Sequence, residues 1–312
     1  MKKLFLTLFL FTNIAKALSF PIEQQTLKSL IENSSYVIEG FVVNIETIKH
    51  PSKSDPVTRA KIKILKTFKG NITDQYIFIY FRPDLICPTP DNYEKNTKVL
   101  CFLDTNLDKK VGGYFAPGLS YASKYISNDI EEKFYEKRII EYLNILTLSN
   151  QTNQDYEITE WLVKCAENAI TTYDATTDLL KKFDYEKNKD LVDYSKLLSK
   201  SQKERLFNCF VNSYNPATPG HNNLLALING VDDEKLLLHL KKLAHDIKAP
   251  NWLDGNPYIY WIGKYSNRDY SEISQNLTKN LGSMRYNTPE DQKRMEYVYS
   301  DFLKLIDEEV KN

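Results

Sequence analysis

The sequence is short of every residue type that would place it in an unusual class. Ten glycines and twelve prolines in 312 residues exclude collagen-like, linker-dominated and low-complexity chains. Lys and Arg together number 41, as do Asp and Glu, so there is no net field to hold a nucleic acid by bulk electrostatics, and none is expected as a partner. Beyond position 17 no apolar run approaches the roughly 20 residues of a bilayer-crossing helix, so no integral membrane segment is expected once the leader is removed. H-E-x-x-H, G-x-S-x-G, S-x-x-K, the phosphate loop and G-x-G-x-x-G are all missing. No cysteine pair has C-x-x-C spacing, and His239 and His245 are six apart, which puts them on different faces of a helix. No catalytic residue, metal or cofactor is therefore expected.

What is present begins with a leader. Lys2 and Lys3 precede an apolar stretch from Leu4 to Ile14, and Ala15-Lys16-Ala17 has the small-x-small form of a cleavage site. These features predict a signal peptide over 1–17 and a protein exported to the bacterial periplasm or exterior. Removing it takes away three lysines and no acid, leaving 38 basic residues against 41 acidic ones. The length that remains fits two domains of roughly 100–200 residues each. Four cysteines, Cys87, Cys101, Cys165 and Cys209, permit two disulfides in an oxidising compartment. Chain proximity favours Cys87 with Cys101 and Cys165 with Cys209, and the first would contribute about 3 kcal/mol by closing a short loop. Cys165 and Cys209 also sit on apolar helical stripes, where a thiol serves as a small hydrophobe.

The pattern along the chain gives an α+β protein. A short helix is expected within 18–34. Tyr36 to Ile48 is β-branched and aromatic, with Gly40 marking a bulge or bend. Ala60, Ile62 and Ile64 alternate with Arg59, Lys61 and Lys63, the period of a strand with one wet face. Lys69-Gly70-Asn71 turns the chain into a strand at 75–81, the prolines between Arg82 and Asn96 require a loop, and Lys98 to Leu103 forms a fourth strand. A fifth falls around 112–121. Closely spaced short strands favour a small barrel over 35–148, closed by a helix that begins at the capping box of Asn128 and Glu131. The polar run 149–155 reads as a hinge. From 154 to 312 the chain reads as helical throughout, with about seven helices. Their starts include a capping box at Ser201 and Glu204, Asp232, and Thr288 before Pro289.

The stretches SYVIEGFVVNI (35–45), AKIKILKTFKGN (60–71), Cys87 and NTKVLCFL (96–103) resemble the exported OB-fold barrels related to tissue inhibitors of metalloproteinases and netrin modules. The resemblance covers residues 35–105 and implies an OB-like five-stranded β-barrel. It does not carry inhibition with it. Those inhibitors chelate the protease zinc through an N-terminal Cys, which has no counterpart at Leu18-Ser19-Phe20.

One cluster in the helical half has the chemistry of a binding patch. Trp252, Tyr258, Tyr260, Trp261 and Tyr265 follow a Pro- and Gly-containing loop, and aromatic faces stack on sugars or peptide side chains; Trp252, Tyr258, Trp261 and Tyr265 are the candidate patch. Tyr258, Trp261 and Tyr265 are also spaced as the buried stripe of one helix. The expectation is an exported, non-enzymatic module that binds a protein or carbohydrate partner. A hydrolase with its site between the two halves is the alternative from another class, and a protease-inhibitor-like protein the third.

Overall fold

A computed structural model describes residues 25–49, 56–83, 91–106, 112–184, 189–213, 221–246, 252–278 and 288–308. The leader, with Ala15 and Ala17, and Cys87 lie outside the described residues. The chain divides into two compact units, Met1–Ser149 and Asn150–Asn312.

The first unit is a sheet flanked by two helices. Helix α1 (Leu27–Asn33) starts at Thr26, whose hydroxyl accepts from the Ser29 amide, and it buries Leu27, Leu30 and Ile31. Lys69 Nζ donates to the carbonyls of Ile31 and Glu32 at its other end, so a cation meets the negative pole of the helix. Strand β1 (Tyr36–Lys49) pairs antiparallel with β2 (Pro56–Lys69) from Val37 to Lys49 and, over Tyr36 to Phe41, also with β4 (Lys98–Thr105). β2 pairs with β3 (Tyr76–Phe81), and β3 pairs in parallel with β5 (Tyr114–Phe115) at Ile79 and Tyr114. β4 also pairs with β5 and with β6 (Ser123–Tyr125). The ladder thus runs β1-β2-β3-β5-β4 and returns to β1. The expected fifth strand over 112–121 is two short strands with a 3-10 turn at Leu119–Tyr121 between them, since Gly113, Pro117 and Gly118 prevent a longer ladder.

Alternation along these strands sorts the side chains. Ile38, Val42, Ala60, Ile62, Ile77, Ile79, Val99 and Cys101 share one face and are at most 3% exposed. At Gly40 the register of β1 shifts, and a Cβ there would lie 2.3 Å from Ile62 Cγ2, so only glycine allows the two strands this close. The opposite face of β2 and β3 joins cations to rings. Arg59 lies 4.0 Å over Phe78 and bonds Glu46 through Nε at 2.7 Å and Nη2 at 2.6 Å, and Lys61 lies 4.8 Å over Tyr76.

Helix α2 (Asp129–Ile145) begins where its capping residues place it. Asn128 Oδ1 accepts from the amides of Ile130 and Glu131, and Glu131 reaches back to the amide of Ser127, one residue before the position a strict capping box uses. Tyr135, Ile139 and Tyr142 are buried, and the Tyr142 hydroxyl donates to Glu32 on α1. Lys66 pairs with Glu136 and Lys98 with Glu132, tying α2 to the sheet.

The second unit contains nine helices among the described residues, more than the pattern suggested, because several are shorter than three turns. They are α3 (Gln151–Ala166), α4 (Thr172–Leu180), α5 (Tyr194–Leu197), α6 (Lys200–Ser213), α7 (His221–Ile228), α8 (Asp233–Asp246), α9 (Trp252–Ser266), α10 (Ser271–Thr278) and α11 (Pro289–Glu308). A two-stranded sheet, β7 (Phe183–Asp184) with β8 (Lys189–Asp190), interrupts them, so the half is not helical throughout. The expected hinge over 149–155 is the first turn of α3: Asn150 accepts from the Asn153 amide, and its polar neighbours are exposed helical positions. α6 is capped by Ser199 and Gln202 and not by Ser201 and Glu204. Ser199 and Gln202 each bond the other's amide, and the competing pair lies two residues further along. The starts at Asp232 and Thr288 fall as expected, each side chain accepting from the amide three residues on.

Packing in this unit is largely between helices near in sequence: α3 on α4, α8 on α9, α9 on α10 and α10 on α11. Trp161, Leu162, Leu206, Phe210, Leu240, Ile262 and Phe302 form its apolar interior. Arg205 on α6 forks between two acids of the α3 region, 2.7 Å from Glu160 and 2.8 Å from Glu167, and their hydrogen bonds hold its guanidinium well above the usual range.

A candidate ligand groove between helices α9 and α10

The groove exists because α9 has two faces of different character. Tyr258, Ile259, Trp261 and Ile262 are 8% exposed or less. Tyr260 points the other way, about 200° around the helix from Tyr258, and is 63% exposed. α9 ends at Ser266 because Asn267 takes φ +55°, the left-handed conformation that stops a helix and that asparagine tolerates. The chain then folds back on α9: the Arg268 amide donates to the Gly263 carbonyl at 2.9 Å. A Cβ on Gly263 would lie 2.8 Å from the Arg268 carbonyl oxygen, so this return needs glycine. Asp269 accepts from the Ser271 amide at 2.8 Å, which caps the start of α10.

Between these elements lies a groove of about 840 Å³, within the size range of small-molecule sites, about 300–1,000 Å³. Tyr260 and Lys264 line it from α9, Asn267, Arg268 and Asp269 from the connecting loop, and Ser274 and Gln275 from α10. The Tyr260 ring rests edge-on against Trp261, with centroids 5.2 Å apart at 81°. Trp261 stacks in turn on Tyr265 at 5.8 Å, and Lys264 Nζ sits 4.6 Å over Trp261. Tyr260 is therefore an exposed ring on a rigid aromatic support. Hydrogen bonding from Ser271 holds the Asp269 carboxyl below the usual range, so it is an anion at neutral pH.

Of the five aromatic residues of the cluster, Tyr258 and Trp261 belong to the packed face of α9 and Tyr265 is half-buried. Burial pushes the Tyr265 hydroxyl well up, and that hydroxyl donates to Asn229. Trp252 begins α9, and its side chain lies outside the described residues. The residue that presents a ring to solvent is Tyr260. Its signal was in the sequence: it is the aromatic position off the stripe of Tyr258, Trp261 and Tyr265.

The cysteines form no disulfide among the described residues. Cys101 is buried in β4 beside Tyr93, and burial pushes its thiol well up. Cys209 Sγ donates to the Glu167 carbonyl at 3.4 Å, so it is turned to the end of α3 and does not bridge to Cys165. His239 packs edge-on to Phe210, and His245 pairs with Asp307 at 2.9 Å. His221 begins α7, and His50 lies outside the described residues.

Two acids in the first unit are also unusual. Asp91 is 3% exposed and sits beside Tyr93, itself 3% exposed. Burial outweighs the Tyr93 hydroxyl and raises the Asp91 carboxyl to about 6. Glu39 is buried beside Glu132. Burial first and Glu132 second push it up, against the pull of Lys98 and Lys66. Among the described residues no three His, Cys, Asp or Glu side chains converge as a metal site would require, and no helix is long and apolar enough to cross a membrane. No protein-family model matches the chain, and no curated protein matches it.

Proposed function

We propose that the chain is an exported, non-catalytic binding protein in which an OB-like barrel accompanies a helical unit that holds the ligand. The observation that carries the reading is the groove with Tyr260 exposed on its wall and hydrogen-bonding side chains around it. Tyr156, Tyr173 and Tyr297 are exposed as well, and what sets Tyr260 apart from them is its place on the wall of the groove. The OB-like reading of the first unit is supported by its pairing order: β1 pairs with both β2 and β4, and β3 with β5 in parallel. The bend at Gly40, where the sequence has the family's apolar-Gly-apolar strand, supports it as well. Export is supported by the leader over 1–17.

The test is ligand-induced stabilisation of the whole chain. Wild type and Tyr260→Ala are melted against a panel of short peptides and soluble glycans. A groove ligand at a hundredfold excess over its Kd stabilises by about 2.7 kcal/mol, a rise of several degrees in the transition of the unit that binds it. Wild type is expected to shift with at least one compound and Tyr260→Ala to shift much less. Stabilisation that is the same in both proteins would remove the groove as the ligand site.

A further inference from the structure

The lining of the groove discriminates between ligand classes, and we infer that its ligand is a carbohydrate whose sugar ring lies flat on Tyr260. The inference rests on reading the groove as the ligand site and adds the chemistry of what occupies it. A sugar has an apolar C–H face and a rim of hydroxyls that each donate and accept. The groove has the matching parts: one exposed ring, then the amides of Asn267 and Gln275, the Ser274 hydroxyl, and Arg268 beside Asp269 as donor and acceptor. No cation among the described residues covers the Tyr260 ring, because Lys264 sits over Trp261 and Tyr265.

Other classes fit less well. A lipid or an apolar side chain needs an apolar lining, and Ile259 and Tyr270, which also border the groove, are 1% and 8% exposed. An extended peptide gains affinity by adding to a strand edge, and both walls here are helices with their backbone bonds already made.

Titration calorimetry on the full chain decides the matter, with maltohexaose, cellohexaose, chitohexaose and a tetrapeptide mixture as probes, on wild type, Tyr260→Phe and Tyr260→Ala. At least one hexasaccharide is expected to bind wild type. Tyr260→Phe should stay within about threefold, since stacking uses the ring and not the hydroxyl, and Tyr260→Ala should lose at least tenfold while keeping its fold. A hexasaccharide that binds equally well to Tyr260→Ala overturns the stacking platform. Peptide binding that depends on Tyr260, with the sugars silent, overturns the carbohydrate class and leaves the groove as the ligand site. Silence of every probe overturns the carbohydrate inference, and the wider panel melted above then judges the groove itself.

Discussion

Asp91 shows how one buried side chain sets a condition on stability. Its carboxyl titrates at about 6 in the folded protein, against about 3.9 in an unfolded chain. The folded state therefore prefers the neutral acid. The stability this group contributes is fully present below about pH 4 and is lost as pH rises through 6, a change of about 3 kcal/mol. Asp91→Asn keeps a neutral side chain at every pH, so denaturant unfolding of the first unit should weaken between pH 4 and 7 in wild type and weaken less in the variant, where the raised Glu39 still titrates. A level wild-type profile would contradict the burial of the charge. Tyr260 and Trp261, adjacent in sequence, separate contact from packing in the same way. Trp261→Ala empties a site 8% exposed and should cost about 3–5 kcal/mol, whereas Tyr260→Ala should fall within about 0.5 kcal/mol by thermal melting. The sequence placed both in one aromatic cluster, because residue type alone does not say which way a ring points.

Element boundaries were legible wherever a side chain closes on its own backbone. Asn128, Asp232 and Thr288 mark helix starts by spacing alone, since the bonding partner is three residues away. The start of α6 was misplaced because two Ser–acid or Ser–amide pairs overlap there, and only one can cap. The two units divide between Ser149 and Asn150, inside the polar run 149–155 read as the hinge, but 151–155 are helical, since an exposed first helical turn and a linker have the same polar composition. Gly40 announced the bend in β1, but nothing local announced that β1 pairs with β4, since that contact joins residues some sixty apart. The groove was out of reach for a similar reason: it depends on the return of the chain at Asn267 onto Gly263. Gly263→Ala should cost about 1–3 kcal/mol through its contact with the Arg268 carbonyl, and weaken ligand binding as the loop shifts. Asn267→Gly, which relieves a left-handed residue, should leave the melting temperature nearly unchanged or slightly raised.

Across the whole molecule, the two compact units answer pH in opposite directions. His239, in the helical unit, is held below its usual range by burial, so its contribution is present above about 6.5 and is lost as pH falls through the lowered folded value. Asp91, in the sheet unit, acts the other way. Calorimetric scans from pH 4 to 8 should therefore resolve two transitions that move apart or cross, with Asp91→Asn affecting one and His239→Gln the other. The two-part α+β organisation was legible in the change of hydrophobic period near residue 128, since strands and helices bury alternate sets of positions. The ligand was not, because Asn267, Arg268 and Asp269 of the groove lie in a stretch that reads as an ordinary turn.

The most direct test of the account is hydrogen–deuterium exchange of the full chain with the hexasaccharide that binds best by calorimetry. Protection confined to residues 259–275 is the expected result. Protection confined to the strands of the first unit, with 259–275 unchanged, would contradict it.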